Sequence, residues 1–236
     1  MLNRLIPGSI KRRLKTRLGV PSQEDSFARL KGLGFEPKVC LDIGAYKGNW
    51  TLDLKNIFPN MSVLMLEGQL EKEKELLKVK EEYKDVDYRI ALLGATESDV
   101  TFHKYETASS VLSEHHETGA STETKKLQLL DNIVAQTSFE KPDLIKIDTQ
   151  GYELEILKGG EKTLGSAEFV LLEVSLLDIY KGVPLVAEVM AYMDQKGFVL
   201  YDICSLMRRP LDKALFQSDF LFVKENSIFR KDKRWS

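Results

Sequence analysis

The chain has 236 residues, 43% of them hydrophobic, and a formal net charge of −2 at pH 7. That length buries one full-sized core, or one core with a small appendage. The near-zero charge provides no field to gather DNA or RNA, so no nucleic-acid partner is expected, and no apolar run approaches the roughly 20 residues needed to span a bilayer.

The first stretch, MLNRLIPGSIKRRLKTRLG, lacks the long apolar run and small-residue cleavage site of a secretory leader. Its Arg4, Lys11, Arg12, Arg13, Lys15 and Arg17 stand beside Leu2, Leu5, Ile6, Ile10, Leu14 and Leu18. This spacing predicts a short amphipathic helix, suited to pack its leucines on the domain or to lie on an anionic membrane surface or a partner. Cys40 and Cys204 stand far apart without metal-like spacing, which suggests small buried hydrophobes in a reducing compartment. A cytoplasmic location follows as the expectation. Residues 1–37 divide off as an N-terminal basic helical extension, 38–225 as the domain proper, and 226–236, with FRKDKRWS, as a basic tail.

From Lys38 the pattern alternates. VCLDIG is a β-rich run, NWTLDLKNIF has helical apolar spacing and stops before Pro59, and SVLMLEG is a second apolar strand. QLEKEKELLKVKEEY predicts a charged helix covering Leu70, Leu76, Leu77 and Val79, and VDYRIALLGA a third strand. Continuous Val/Ile/Leu strands between amphipathic helices imply a parallel sheet covered on both faces. Right-handed crossovers then give a doubly wound α/β topology. The middle breaks the rhythm: DVTFHKYET is an exposed strand, and ASSVLSEHHETGASTETKK a polar loop suited to lie over a substrate. LQLLDNIVAQ resumes regular structure, PDLIKID is a strand, and TQGYELEILKGG a turn and short helix with a glycine stop. EFVLLEVS is a strand, PLVAEVMAYMDQKG a glycine-capped helix, and FVLYDI and DFLFVKE the final strands. Without a repeat or a clean linker, the whole is one domain.

The turn in VCLDIGAYKGNWT carries the first chemical signal. It lacks the G-x-x-x-x-G-K-[ST] of a phosphate loop, and Tyr46 stands where a dinucleotide site needs its middle glycine. Its D-x-G-x-x-x-G pattern suits S-adenosylmethionine, whose ammonium and sulfonium favour a nearby acid such as Asp42. The loop through Gly44, Ala45, Tyr46 and Gly48 to the helix start at Asn49 offers amides to the cofactor carboxylate. Glu67, followed by Gly68, ends the second strand where an acid takes both ribose hydroxyls, and Ala91 and Leu92 end the third beside adenine. The alternative makes Gly44 a tight-turn residue and Glu67 a solvated strand end.

Three stretches, DIGAYKGNWT, LIKIDTQGYELEILKGG and LLEVSLLDIYKGVPLVAEVMAYMDQKGF, together resemble the FkbM family of S-adenosylmethionine-dependent methyltransferases from about Lys38 to Phe222. The resemblance implies a class I methyltransferase (Rossmann-like) domain: a doubly wound, mostly parallel seven-stranded sheet with its last strand antiparallel. It also implies O-methylation of a hydroxyl on a sugar, glycan or natural-product small molecule.

Methyl transfer is an in-line displacement that must align acceptor oxygen, methyl and sulfur and relieve the alcohol of its proton. Asp148 after DLIKI and Glu173 after FVLL end neighbouring strands, so both face one crevice. Asp148 is the candidate that orients or deprotonates the acceptor. Lys146, an ammonium in an apolar strand, pairs with these carboxylates or holds the acceptor oxygen, or else forms a purely structural ion pair. A divalent metal such as magnesium is another use for the two acids, with no third ligand in place; Glu153 suits a helix N-terminus. His103, His115 and His116 are candidate bases in the polar region, better read as solvated. Ser109 and Ser110 are placed to reach a polyol, and Tyr180 and Tyr192 to pack or cap. Two rival functions are weaker. A nicotinamide oxidoreductase lacks its third glycine and a Tyr-x-x-x-Lys pair, and a noncatalytic binding module leaves the Asp148–Glu173 pair without a purpose.

Overall fold

The computed structural model describes residues 18–104, 109–115 and 121–235. The basic stretch through Arg17 and His116 lie outside the described residues. In chain order, α1 (Gln23–Gly32), β1 (Val39–Ile43), α2 (Asn49–Ile57), β2 (Ser62–Glu67), α3 (Glu73–Glu82) and β3 (Val86–Ile90) come first. The short strands β4 (Leu92–Leu93), β5 (Asp99–Lys104) and β6 (Ser121–Gln128) follow, then α4 (Leu130–Val134), β7 (Leu144–Ile147), α5 (Glu153–Lys158) and α6 (Glu161–Ser166). Strand β8 (Phe169–Ser175), α7 (Val186–Gln195), β9 (Phe198–Ile203), β10 (Met207–Arg208) and β11 (Leu215–Lys224) complete the domain.

The main sheet runs β3-β2-β1-β7-β8-β11, with β9 and β10 both on the outer edge of β11. Strands β3, β2, β1, β7 and β8 are parallel and β11 is antiparallel to β8, as expected for the class I methyltransferase fold. Two pieces fill the outermost position because the chain leaves β11 between Ile203 and Met207 and returns to it.

Both faces of the central strands are buried, which explains their unbroken apolar sequences. Leu41, Ile43, Leu64, Leu66, Ile145 and Ile147 pack beneath α4 to α7, while Cys40, Val63, Met65 and Leu144 pack beneath α1, α2 and α3. Both cysteines are free and buried. Helix α3 covers the sheet with Leu76 and Val79 only. Leu77 (41% exposed) lies about 100° round the helix from Leu76 and points to water, and Leu70 (60% exposed) precedes the helix in a 3₁₀ turn.

Two expectations for the middle of the chain need correction. VDYRIALLGA is not one strand: β3 stops at Ile90, and Leu92–Leu93 joins a second, three-stranded sheet. The polar segment is not all loop either, because STETKKLQ forms β6. It pairs antiparallel with β5 from Asp99↔Lys126 to Lys104↔Ser121 and parallel with β4 at Leu92↔Leu127. Only Leu127 of β6 is buried, so backbone pairing holds it rather than an apolar face. Among the described residues no helix is long and apolar enough to cross a membrane.

Candidate active site

The strand order reverses between β1 and β7, and a crevice opens there beyond the carboxyl ends of the strands. A cavity of about 210 Å³ occupies it. From one side it is lined by Gly44, Tyr46, Glu67, Gly68, Ala91 and Leu92, and from the other by Asp148, Thr149, Gln150 and Tyr152. Phe102 of β5 and Ser109–Val111 of the middle segment also line it.

On the first side the turn after β1 is fixed by close approach of the chain to itself. Gly44 has φ +73°, and a Cβ there would sit 1.9 Å from the Asp148 carbonyl oxygen. Gly48, at φ +77°, would drive a Cβ to 2.9 Å from Val79 and 3.1 Å from Met65 of the layer below. Both glycines therefore serve contacts within the protein, between β1 and β7 and between the turn and α3. The turn instead delivers an amide: Tyr46 N donates to Glu67 Oε2 at 2.7 Å, while Gln69 N donates to Glu67 Oε1 at 2.8 Å. The Glu67 carboxylate is thereby fixed at the cavity wall. Burial raises its pKa, and the two amides and Lys146 oppose the rise.

Beneath the crevice a row of charges crosses the sheet on the α1–α2 side. Asp42 is opposite Lys146 in the β1–β7 register, and Glu173 is opposite Asp219 in β8–β11. Lys146 Nζ lies 3.1 Å from Asp42 Oδ1 and 3.7 Å from Asp148 Oδ2, and donates to the Gly44 carbonyl at 3.0 Å. Burial pulls this ammonium's pKa down, but Asp42, Asp148 and Glu173 more than reverse the effect, so it stays charged. Helices α1 and α2 supply the remaining partners. Thr51 Oγ1 donates to Asp42 Oδ2 at 2.7 Å, and Gln23 Nε2 donates to Asp219 Oδ2 at 2.7 Å while its Oε1 accepts from Trp50 Nε1 at 2.6 Å.

The second side is built around Gln150, which holds a left-handed φ of +56°. Its Nε2 donates to Glu173 Oε2 at 2.8 Å and to Asp148 Oδ1 at 3.2 Å; its Oε1 accepts from Tyr180 at 3.0 Å. Gln217 of β11 also donates to Glu173 Oε2, at 2.9 Å. Glu173 is buried, which raises its pKa well above the usual carboxylate range; Asp148, Glu153 and Asp219 add to the rise against Lys146. Glu153, the first residue of α5, accepts from the Thr149 and Gly151 amides at 2.9 and 3.1 Å. Burial nonetheless lifts it to about 7.

The crevice thus brings together Gly44, Tyr46, Glu67, Gly68, Ala91, Leu92 and Asp148 of the expected site residues. Asp42, Lys146 and Glu173 lie beneath or beside it. Ala45 and Gly48 are buried in the turn, and Asn49 is exposed at the start of α2. Lys146 meets Asp42 and the turn carbonyl more closely than it meets Asp148, which ties β7 to the turn. Gln150 and Gln217 had no role in the sequence reading, and Tyr180 only that of packing or capping. Polar amides at strand ends carry no periodic signal, and the one hint was Gln150's place inside KIDTQGYELEILKG. His103 bridges Ser110 through its backbone, and His115 N donates to the Ile179 carbonyl at 3.0 Å, beside a separate cavity.

The donor chemistry does not fit magnesium. One Glu173 oxygen accepts two amide donors, and Asp148 faces an ammonium. Among the described residues no group of three or more His, Cys, Asp or Glu is arranged to hold a metal ion.

The model of the methyltransferase FkbM domain matches residues 42–200. Hexuronic acid methyltransferase AglP of Haloferax volcanii is 41% identical over 44 residues, which is 19% of this chain and 18% of that protein. Methyltransferase FkbM from Methylobacillus flagellatus KT superposes with a TM-score of 0.50 at 17% identity, covering 78% of this chain and 43% of that one. Fibrillarin of Aeropyrum pernix, solved with natively bound S-adenosyl-L-methionine, gives 0.50 at 15% identity over 84% of this chain and 73% of its own. The chain thus spans less than half the length of the Haloferax and Methylobacillus proteins it matches. The two structural likenesses are likenesses of fold.

Proposed function

The chain belongs to the FkbM methyltransferase family, and from that premise we propose that it transfers a methyl group from S-adenosyl-L-methionine to a hydroxyl of a sugar, glycan or natural-product small molecule. The observation that carries the reading is Glu67: a carboxylate at the end of β2, held by one amide on each oxygen, on the wall of the switch-point cavity. Each oxygen keeps lone-pair capacity for a hydroxyl, which matches a vicinal ribose diol. The apolar strip of Ala91, Leu92 and Phe102 beside it suits an adenine face. Asp42, buried and 3.1 Å from the Lys146 ammonium, completes the ion pair beneath the turn.

When bound, the cofactor supplies an electrophilic methyl on a positively charged sulfur. Asp148 projects into the cavity from the end of β7, 40% exposed, where it accepts the acceptor's hydroxyl proton as the oxygen attacks. Lys146 holds the Asp148 strand end against the Gly44 turn, so that the two halves of the site keep one geometry. A sugar acceptor draws support from the hexuronic acid methyltransferase that shares a short stretch with this chain.

Calorimetry and thermal shift with S-adenosyl-L-methionine, S-adenosyl-L-homocysteine and NAD test the reading. Binding of the first two, stabilising the fold, is the expected result. Stabilisation by NAD alone sinks the proposal. Methyl-labelled cofactor offered with a panel of uronic acids, neutral glycosides and polyols then separates an enzyme from a binding module.

A further inference from the structure

Gln150 is a non-glycine residue in the left-handed region, a conformation that costs roughly 1 kcal/mol or more and persists where surrounding contacts enforce it. Those contacts are numerous. The two Nε2 hydrogens go to Asp148 Oδ1 and Glu173 Oε2, and the two Oε1 lone pairs face the Tyr180 hydroxyl at 3.0 Å and Gln217 Nε2 at 3.5 Å. This uses every hydrogen-bonding position the amide has. The opposite flip would aim its oxygen at two carboxyl groups, so the partners define the orientation. The backbone takes part as well: Ser110 Oγ donates to the Gln150 carbonyl at 2.9 Å, and Leu112 N donates to that same Oγ at 3.0 Å. Residues 113–115 continue from there onto 179–181, with Lys181 N donating to Ser113 O at 2.8 Å and His115 N to Ile179 O at 3.0 Å. One residue therefore joins the ends of β7 and β8, strand β11, the segment holding Tyr180 and the strap 109–115, whose first three residues line the cavity.

We infer that Gln150 is a positioning residue: it holds the Asp148 carboxyl in the cavity and couples it to the strap across the acceptor side. A terminal amide does this where a charged side chain would not, because it donates to two acids at once without adding a charge to a crowded set. Lys146, Glu153 and Asp219 are the other ionisable groups facing this pair. The inference rests on the methyltransferase reading for Asp148's role, but the clamp itself is a property of the apo protein.

Gln150→Gly removes the side chain and relieves the backbone, Gln150→Asn keeps a left-handed-tolerant amide that is one methylene short, and Gln150→Glu keeps shape but exchanges the donor for an acid. In uniformly ¹³C-labelled protein, side-chain carboxyl resonances assigned with Asp148→Asn and Glu173→Gln are compared between variants at one fixed pH, and the Gln150→Gly crystal structure locates Asp148. The Asp148 carboxyl resonance should shift in all three variants, since the amide donor is lost, shortened or replaced by an acid. The Asp148 carboxyl should also leave its wild-type position. S-adenosyl-L-methionine affinity should stay within about threefold of wild type. Either a moved carboxyl or a shifted resonance, with affinity kept, supports the clamp. An unmoved Asp148 with an unchanged resonance in all variants overturns it, as does a cofactor affinity lowered tenfold or more, which would make Gln150 part of the cofactor scaffold. If wild-type protein fails to bind S-adenosyl-L-methionine, the methyltransferase reading falls, and the carboxyl resonances and the position of Asp148 still decide the clamp.

Discussion

The two sides of the crevice are made in different ways. On the β1–β2–β3 side, one carboxylate is held by backbone amides only 21 and 2 residues away in sequence. On the β7–β8–β11 side, side chains hold side chains: Asp148, Gln150, Glu173, Tyr180 and Gln217 come from five separate positions, the most distant hydrogen-bonded pair 67 residues apart. The first arrangement survives any sequence that keeps the turn and one acid. The second depends on each member, and it adjoins the strap and the polar middle segment. A family that keeps one donor and changes its acceptors would place its variable parts on that second side. The contrast predicts that substitutions on the β7 side alter transfer and spare cofactor binding, and that those on the β1 side do the reverse.

Asp148→Asn gives the largest test of that division. Loss of a positioned base lowers transfer by roughly 10²–10⁴-fold, while calorimetric affinity for S-adenosyl-L-methionine stays within about threefold. Parallel loss of both would erase the distinction between the two sides. Gly44→Ala comes next and strikes the seam between them, because its Cβ would meet the Asp148 carbonyl at 1.9 Å in a left-handed backbone. Urea unfolding should report a loss of roughly 3 kcal/mol or more, the sum of overpacking and an unfavourable φ. A loss under about 1 kcal/mol would show that β1 and β7 can part at this point at little cost.

Gly44 also marks how far the sequence could be read. Its position, the tight turn and the following helix were plain from VCLDIGAYKGNWT. The glycine itself answers to a carbonyl 104 residues onward, a contact no local pattern reveals. Strands β1, β2, β7 and β8 were legible because burial on both faces leaves runs of Leu, Ile and Val. Strand β6 was not, since STETKKLQ is exposed along nearly all its length and owes its form to β5. The same physics divides the site. Glu67 could be found from strand length and spacing. Gln217 reaches Glu173 only through the antiparallel pairing of β11 with β8, which composition does not encode.

Glu153 sharpens the comparison through pH. Its folded-state pKa of about 7 stands above an ordinary 4.5, with burial as the leading cause. Between those values the folded chain holds a proton the unfolded chain has released, so stability declines as pH rises across that window and stays lower above it. The full effect is on the order of 3 kcal/mol at most. Glu153→Gln removes the titration while keeping an oxygen for the Thr149 and Gly151 amides. Its stability should therefore fall less steeply than wild type between about pH 5 and 7 in chemical denaturation. Glu67, Glu173 and Asp219, also raised, leave a residual slope of the same sign. An unchanged slope would mean that water reaches Glu153.

Glu67→Gln carries the smallest effect and bears most directly on the first side. The substitution preserves volume but turns one of two acceptors into a donor, and whichever way the amide flips, its NH₂ faces either Tyr46 N–H or Gln69 N–H. One amide of the turn then loses its partner and the diol loses an anionic acceptor, each worth about 1–3 kcal/mol. Affinity for S-adenosyl-L-methionine should fall roughly 10- to 100-fold by calorimetry. The Asp148 carboxyl resonance should remain where it was, because Glu67 is held by the Tyr46 and Gln69 amides and not by the Gln150 cluster. If instead that resonance moves as far as it does in the Gln150 variants, the two sides are one coupled unit, and local assembly on the β1 side no longer explains why its acid could be recognised from sequence.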